Sequence, residues 1–531
     1  MGSSLKAVLA LAAAASLALV VVAPGQAAGA QGPRGAPGFS PLLTWQQAVS
    51  RPLRELPTAA AATGRPPRQL TSRKPGHGGG GTTDSSVQSS ASTPLGATVT
   101  ASFQGVGVPN YTPNSIPPDP NGSAGGTEFV ETVNSDLIVF NKSGAILSGP
   151  IAISSLWSAT GTACGGNDVS DPVVLYDKQA GHWILMQLAS VSSAPYYVCV
   201  AVSTTSDAAG AWYLYAYSFG SNLPDYPKLA VWPDGYYFSV NEFYLGAFFQ
   251  GAAACVLPRA TMLTGGSGNG QCYLNSSSVA SLLPADLDGA SGGAGSTLAP
   301  PSGAPGMFMN FGTNSLNLFQ YHVDWSNPNN STWTGPIKEA VPSFSEACGG
   351  GTCVPQAGTS QQLASLGDRL MFRLSYRNFG TYQSLVVSHS TVGSGTAAVR
   401  WYELRNPSSS GFTVYQASSY APDSTYRWMG SAAMDKLGDI AAGYSASSAR
   451  ISPQIRYTAR VPSDPLNTLR IEATVVPITT ASQTTYSRWG DYSSMSVDPT
   501  DDCTFWYTDE YQQTTGYYWS TWITAFKMPG C

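Results

Sequence analysis

Charge is scarce in this 531-residue chain: Asp, Glu, Lys and Arg make up 11% of it, against roughly 25% in an ordinary soluble domain. Histidine is scarcer still, with His77, His182, His322 and His389 the complete set. There is no HExxH pair for zinc, no GxSxG elbow set between a strand and a helix (the string "GASGG" at 289–293 lies in a glycine-rich run), no phosphate-binding Walker loop and no CxxC pair, so zinc-protease, α/β-hydrolase, P-loop and zinc-ribbon chemistry are set aside. His322 and His389 read as packed, hydrogen-bonded residues on third strands rather than as bases. No stretch after residue 22 approaches the ~18 apolar residues of a membrane helix, and no convincing amphipathic helix follows residue 96.

What fills the gap is Gly, Ser, Thr, Tyr and Trp, a hydrogen-bonding and aromatic surface that suits carbohydrate and is equally what strands and turns produce. Residues 1–30, with Lys6 ahead of "AVLALAAAASLALVVV", read as a cleaved secretory signal. Export fits the eight cysteines, which are even in number and spread out. Spacing favours neighbours: Cys348 with Cys353, Cys255 with Cys272, Cys503 with Cys531, and therefore Cys164 with Cys199. No thiol nucleophile remains.

Residues 31–95 are rich in Pro, Gly, Ser and Ala and read as a disordered leader or propeptide, with "LLTWQQAVSRPLREL" (42–56) the one candidate short helix. The leader carries seven basic residues and two acidic ones, whereas 96–531 carries 18 basic and 29 acidic, a balance of −11. Phosphate binding needs the opposite sign, which excludes a nucleic-acid partner for the main domain.

From residue 96 onward, short runs of Val, Tyr, Phe, Trp and Thr alternate with Gly, Pro, Asn and Asp. "RWMGSAAMDKLGDIAAGYS" (427–445) and "RWGDYSSMSVDPTDDCTFWYT" (488–508) share a frame: a polar lead, a small-residue strand, a tight turn, then an aromatic strand. The frame recurs at 119–141, 170–189, 225–243, 284–313 and 363–379, seven copies at about 62 residues each. A four-stranded sheet cannot bury both faces alone, so such units stack around an axis. The expected fold is all-β, a seven-bladed β-propeller over residues 96–531, with six or eight blades as alternatives. The last unit supplies three strands, and "ATVTASFQG" (97–105) is expected to complete it. A monomer is expected.

"YHVDWSNPNNSTWTGP" (321–336) places Ser326, Asn330, Thr332 and Trp333 in the spacing of the Asp-box, with Pro328 and Asn330 at its Asp and Gly positions; "TSDAAGAW" (205–212) resembles a second copy. With "PPDPNG", "DPVVLYD", "YRWMGS" and "RWGDYSSMSVDP", the chain resembles secreted bacterial propellers of sialidase-like type. The resemblance implies a fold and box turns between third and fourth strands, away from the active face; the Arg-Ile-Pro lead of sialidases is absent.

In a propeller the site gathers at one mouth of the channel. The strand leads bring Asp119, Asp171, Asp225, Arg427 with Trp428, and Arg488 with Trp489, Asp491 and Tyr492. The loops after second strands bring Glu242, Arg377 with Asn378, and Asp509, Glu510 and Tyr511. Asp491, Asp171, Asp225, Glu242 and Tyr492 are the candidate catalytic groups, with Asp491 foremost because Gly490 would let the backbone approach the channel. Arg427, Trp428, Arg488, Trp489, Arg377 and Glu510 are the candidate substrate ligands. Blade-bridging ion pairs and packed indoles are the competing roles for the same residues. "ADLDG" (285–289) lacks calcium-loop spacing, and neither a metal nor a cofactor is expected. Paired carboxylates with arginines suit cleavage of a polysaccharide, one with acidic sugars included; a non-catalytic glycan-binding or adhesion propeller is the alternative, and a structural role the third option.

Overall fold

The computed structural model describes residues 37–59, 67–70, 73, 84–111, 113–288, 298–407, 410–476 and 480–531; the expected signal at 1–30 lies outside them. Among the described residues, six groups of four antiparallel strands follow one another along the chain, and the last three strands form a seventh group with one strand that precedes them all. Their first strands are Asn121–Ala124, Val169–Asp177, Asn222–Trp232, Leu283–Leu287, Leu370–Asn378, Tyr426–Met434 and Ser494–Val497. Each lies against the first strand of the next sheet, and that of the seventh lies against that of the first. Side chains stitch these strands together: Ser494 Oγ donates to the Gly122 carbonyl at 2.8 Å, and Met495 N donates to Ser431 Oγ at 3.0 Å. Small residues are required there. A Cβ on Gly430 would stand 3.0 Å from Val399 of the neighbouring sheet.

Strand alternation turns one face of each sheet toward each neighbour, so the apolar core is divided among the sheet junctions. Val130, Val139, Val174 and Leu185 meet between the first and second sheets. Phe129, Ile138, Trp506 and Ile523 meet between the first and seventh. The fourth and fifth sheets are also joined directly, Ala285–Leu287 running parallel to Leu374–Tyr376.

The seventh sheet takes its outermost strand from Thr98–Gly107, which pairs antiparallel with Ser520–Lys527. The expected helix at 42–56 is a correction: Gly38–Leu42 pairs with the outer edge of the third sheet and Gln46–Val49 with that of the second. An open sheet edge offers a row of backbone partners that an isolated short helix does not. Val87–Gln88 adds to the fifth sheet. Parts of a leader expected to lack structure are therefore edge strands. The sulfurs join as spacing suggested, Cys164–Cys199, Cys255–Cys272, Cys348–Cys353 and Cys503–Cys531.

In the fifth unit the expected frame is one strand out. "LMFRLSYRN" is the first strand, not the second, and His389 is on the second strand, Tyr382–Gly393. Charge misled the reading, because this inner strand carries Arg373 and Arg377 where small residues stand elsewhere. Arg373 crosses the axis, bonding Asp286 at 2.6 Å and Asp288 at 2.5 Å and donating to the Met495 carbonyl at 3.3 Å.

Candidate functional site

At the end of the axis where the first strands begin, six leads contain a residue in the left-handed backbone region: Asp119, Asp171, Tyr226, Ser281, Leu366 and Met429, with φ between 43° and 55°. Such a conformation costs about 1–3 kcal/mol per non-glycine residue and persists where the surroundings enforce it. The enforcing groups come from the preceding sheet. Asn134 Oδ1 accepts from Asp171 N at 2.7 Å, Asn241 Oδ1 from Ser281 N at 2.8 Å, and Ser390 Oγ from Met429 N at 3.2 Å.

These leads bring Asp119, Asp171, Asp225 and Asp491 together. Asp491 N donates to Asp119 Oδ1 at 2.7 Å, and the Asp491 carboxylate forms an ion pair with Arg488 at 2.5 Å. Burial, then the charges of Asp491 and Asp171, pushes Asp119 well above the usual carboxylate range. Burial and then the Asp491 charge raise Asp171. Burial and then the Asp171 charge push Asp225 up to about 7, although Arg73 lies 3.6 Å from it. Lys228, fully buried, stands 3.5 Å from the Tyr226 ring centre and 4.0 Å from that of Tyr492; burial brings its ammonium down to about 7.

Asp171, Asp225 and Asp491 line one cavity of about 160 Å³ with Ser170, Arg488 and, from the leader, Arg68, Leu70 and Arg73. Pyranose hydroxyls and a scissile oxygen need donors, acceptors and one proton source. This set supplies all three, with Asp225 the group whose proton is held into the neutral range.

Several candidate ligands stand elsewhere. Arg427 is held by Glu472 at 2.7 Å and Asp423 at 3.0 Å, which corrects its expected place as a substrate ligand. Its side chain leaves the mouth because the outer Glu472, shared with Arg456 and Tyr444, satisfies the buried guanidinium. Arg377 is corrected too. Being on an inner strand, it sits at the far end and bonds Asp502 at 2.5 Å and the Asp288 carbonyl at 3.0 Å. Trp428 and Trp489 are fully buried, their ring centres 5.9 Å apart, and offer no platform to a sugar. Tyr492 is buried, its hydroxyl donating to the Pro172 carbonyl at 3.0 Å. Glu510 is buried beneath the mouth, accepting from Gly490 N at 3.0 Å, and burial raises it well above its usual range. Glu242 is buried in the second strand of the third sheet. A Cβ on Gly490 would meet nothing nearer than 3.4 Å, so close approach does not explain that glycine.

Lys228 and Arg369 were missed by sequence reading. Arg369 stands 4.5 Å from the Tyr226 ring centre and bonds Asp368 at 3.0 Å. The Lys228 lead, "DYPKLAV", carries its own signal: a lysine in a buried strand beside aspartates. Asp286 and Asp288, within the segment weighed for calcium, are tied to Arg373 instead. Asp435, Cys503 and Cys531 converge, but both sulfurs form a disulfide. His389 is buried with its ring against Tyr402, 3.0 Å from that hydroxyl, and burial lowers it well below its usual range. Among the described residues no helix is long and apolar enough to cross a membrane.

No protein-family model matches the chain, and no curated protein matches it. Among solved structures it is similar to a protein of unknown function from Dyadobacter fermentans DSM 18053 (12% identity, 68% of this chain and 95% of that one, TM-score 0.35). It is also similar to a Hadza microbial sialidase (11%, 75% and 73%, 0.35) and to an exo-β-1,3-galactanase from Clostridium thermocellum (10%, 78% and 83%, 0.30). Likenesses at these TM-scores decide neither the fold in detail nor the reaction.

Proposed function

We propose that this chain is a secreted, monomeric seven-bladed β-propeller, with a signal at 1–30, a leader at 31–95 and the propeller at 96–531, that cleaves an extracellular polysaccharide at its acidic mouth. The observation that carries the reading is the meeting of Asp171, Asp225 and Asp491 with Arg488 in one cavity, where Asp225 keeps its proton up to about pH 7 and Asp491 is ion-paired. Two carboxyl groups in unlike environments are the division of labour that glycoside cleavage needs. Asp225 is the general acid that protonates the leaving oxygen. Asp491 is the charged partner, acting on water or on the anomeric carbon, and Arg488 beside it is the ligand for an acidic sugar.

A second reading has its own support. Arg488 faces Asp491 and Arg73 faces Asp225, so two of the three carboxylates are neutralised within the protein, as a non-catalytic glycan-binding propeller would arrange. Purified protein, unchanged and with Arg68→Ala/Arg73→Ala on the leader segment that lines the cavity, incubated with plant, algal and bacterial polysaccharides separates the two. Soluble saccharide released by the protein and lost in Asp225→Asn supports cleavage; retention on a polysaccharide with no product supports binding alone.

A further inference from the structure

We infer that residues 67–70 and 73 of the leader are an intramolecular inhibitor, an extended basic segment bound across the acidic mouth where the ligand of that mouth must enter. The idea rests on the proposed site, but its contacts stand independently of the reaction. Arg68–Gln69 pairs parallel with Ser115–Ile116. Arg68 N donates to the Asn114 carbonyl at 2.8 Å, and Leu70 N donates to the Ile116 carbonyl at 2.7 Å. The Arg68 side chain pairs with Asp168 and donates to the Val169 carbonyl at 2.6 Å. Leu70 is buried, and its carbonyl lies 3.4 Å from Arg488 Nε. Arg73 donates to the Gly246 carbonyl at 2.8 Å, stands 3.6 Å from Asp225, and its own carbonyl lies 3.4 Å from Arg369 Nη2.

The segment therefore touches two mouth residues that matter to a ligand, Arg488 and Asp225. A carbonyl oxygen is offered to Arg488, a guanidinium is offered to Asp225, and buried Leu70 lines the same cavity. Its anchors lie far apart around the axis. Upstream, Ala59 N donates to the Pro150 carbonyl of the first sheet at 2.8 Å. Downstream, Asp84 pairs with Arg400 of the fifth sheet at 2.9 Å.

Size makes the contact inhibitory. The cavity left beneath the segment is about 160 Å³, below the ~300 Å³ at which small-molecule sites begin, and four of its lining residues, Arg68, Gln69, Leu70 and Arg73, belong to the segment itself. A saccharide reaches Asp225 only once this roof has moved. The roof is held by partly exposed ion pairs and a few hydrogen bonds, with only Pro67 and Leu70 buried, the composition of a unit that opens locally before the sheets do.

The test uses the full chain in three forms: unchanged, Arg68→Ala/Arg73→Ala, and Arg73→Lys. Carbodiimide-driven amine labelling of Asp225, read by mass spectrometry, reports access to the mouth; hydrogen exchange at the Leu70 amide reports docking; exposed Glu55 is the labelling control. Losing two ion pairs and their hydrogen bonds is expected to speed both Asp225 labelling and Leu70 exchange by about tenfold, with Glu55 and the melting temperature unchanged and Arg73→Lys close to the unchanged chain. Asp225 equally protected in the double variant, or exposed only as the whole domain melts, overturns the inhibitor and makes the segment a fixed part of the fold. Saccharide release is scored separately on the polysaccharide panel. Asp225 freed with no product from any polysaccharide counts against cleavage and leaves the inhibitor standing; product rising with access supports both.

Discussion

Arg488 and Asp491 stand three residues apart in one strand lead and form a buried ion pair at 2.5 Å, with Asp491 N fastened to Asp119 at 2.7 Å. The pair ties the seventh sheet to the first at the mouth. Asp491→Asn strands the guanidinium, although Asp119 and Asp171 still act on it. The expected loss is about 3 kcal/mol, the low end for breaking a buried pair, read as a shift in the urea midpoint. A loss under about 1 kcal/mol, as for an exposed pair, contradicts the structural half of this role.

Arg427 separates structure from function at the other Arg-Trp. Its guanidinium serves Glu472 and Asp423, so Arg427→Ala leaves Glu472 with Arg456 and Tyr444 alone. Stability is expected to fall by about 3 kcal/mol or more, while glycan affinity per folded molecule stays unchanged. Isothermal titration with any retained saccharide checks this, and a selective loss of affinity returns Arg427 to the site.

The repeated small-residue strands were legible because crowding near the axis leaves a compositional trace, as Gly430 against Val399 shows. The mouth was legible in part: Asp171, Asp225, Asp491 and Arg488 do converge. The left-handed leads were not, because Asp119, Asp171, Tyr226, Ser281, Leu366 and Met429 have no single side-chain type in common, and partners in the neighbouring sheet impose at least three of them. Arg377 was misplaced because its strand breaks the small-residue rule, being stabilised by Asp502 across the axis end. The leader was opaque for another reason. Short edge strands such as Gln46–Val49 draw their order from the sheet they join, and four residues of sequence carry no such signal.

Stability should depend on pH in a definite direction. Burial raises Glu131, Asp136, Asp225 and Asp509 each to about 7, from 4.5 or 3.8. Between those values the folded chain holds more protons than the unfolded one, so stability falls as pH rises toward 7. Asp501 acts oppositely at the acid end: burial opposes it, but Lys527 and the Thr504 and Cys503 amides hold it to about 2, and that contribution is lost as pH falls below about 4. Lys228, down to about 7, adds stability only as pH climbs above that value. Calorimetry is expected to find a higher melting temperature near pH 5 than near pH 7, with Glu131→Gln flattening the slope. A higher melting temperature at pH 7 contradicts the buried-acid account.

Thr98–Gly107 supplies the outer strand of the seventh sheet, so two truncations isolate it. A chain beginning at residue 110 is expected to melt at least ~5 °C below one beginning at residue 95, since it exposes the edge of Ser520–Lys527 and the apolar face of Trp506 and Phe140 beneath Phe103. Equal melting temperatures would remove the strand from any part in holding the two chain ends together.

The most direct measurement is saccharide release by Arg68→Ala/Arg73→Ala, with and without Asp225→Asn, across the polysaccharide panel. The account predicts product from at least one polysaccharide in the double variant. It also predicts a loss of about a hundredfold or more when the Asp225 acid is removed, with the melting temperature held within a few degrees. Product formation indifferent to Asp225→Asn, or no product from any polysaccharide with the mouth open, contradicts cleavage at this site.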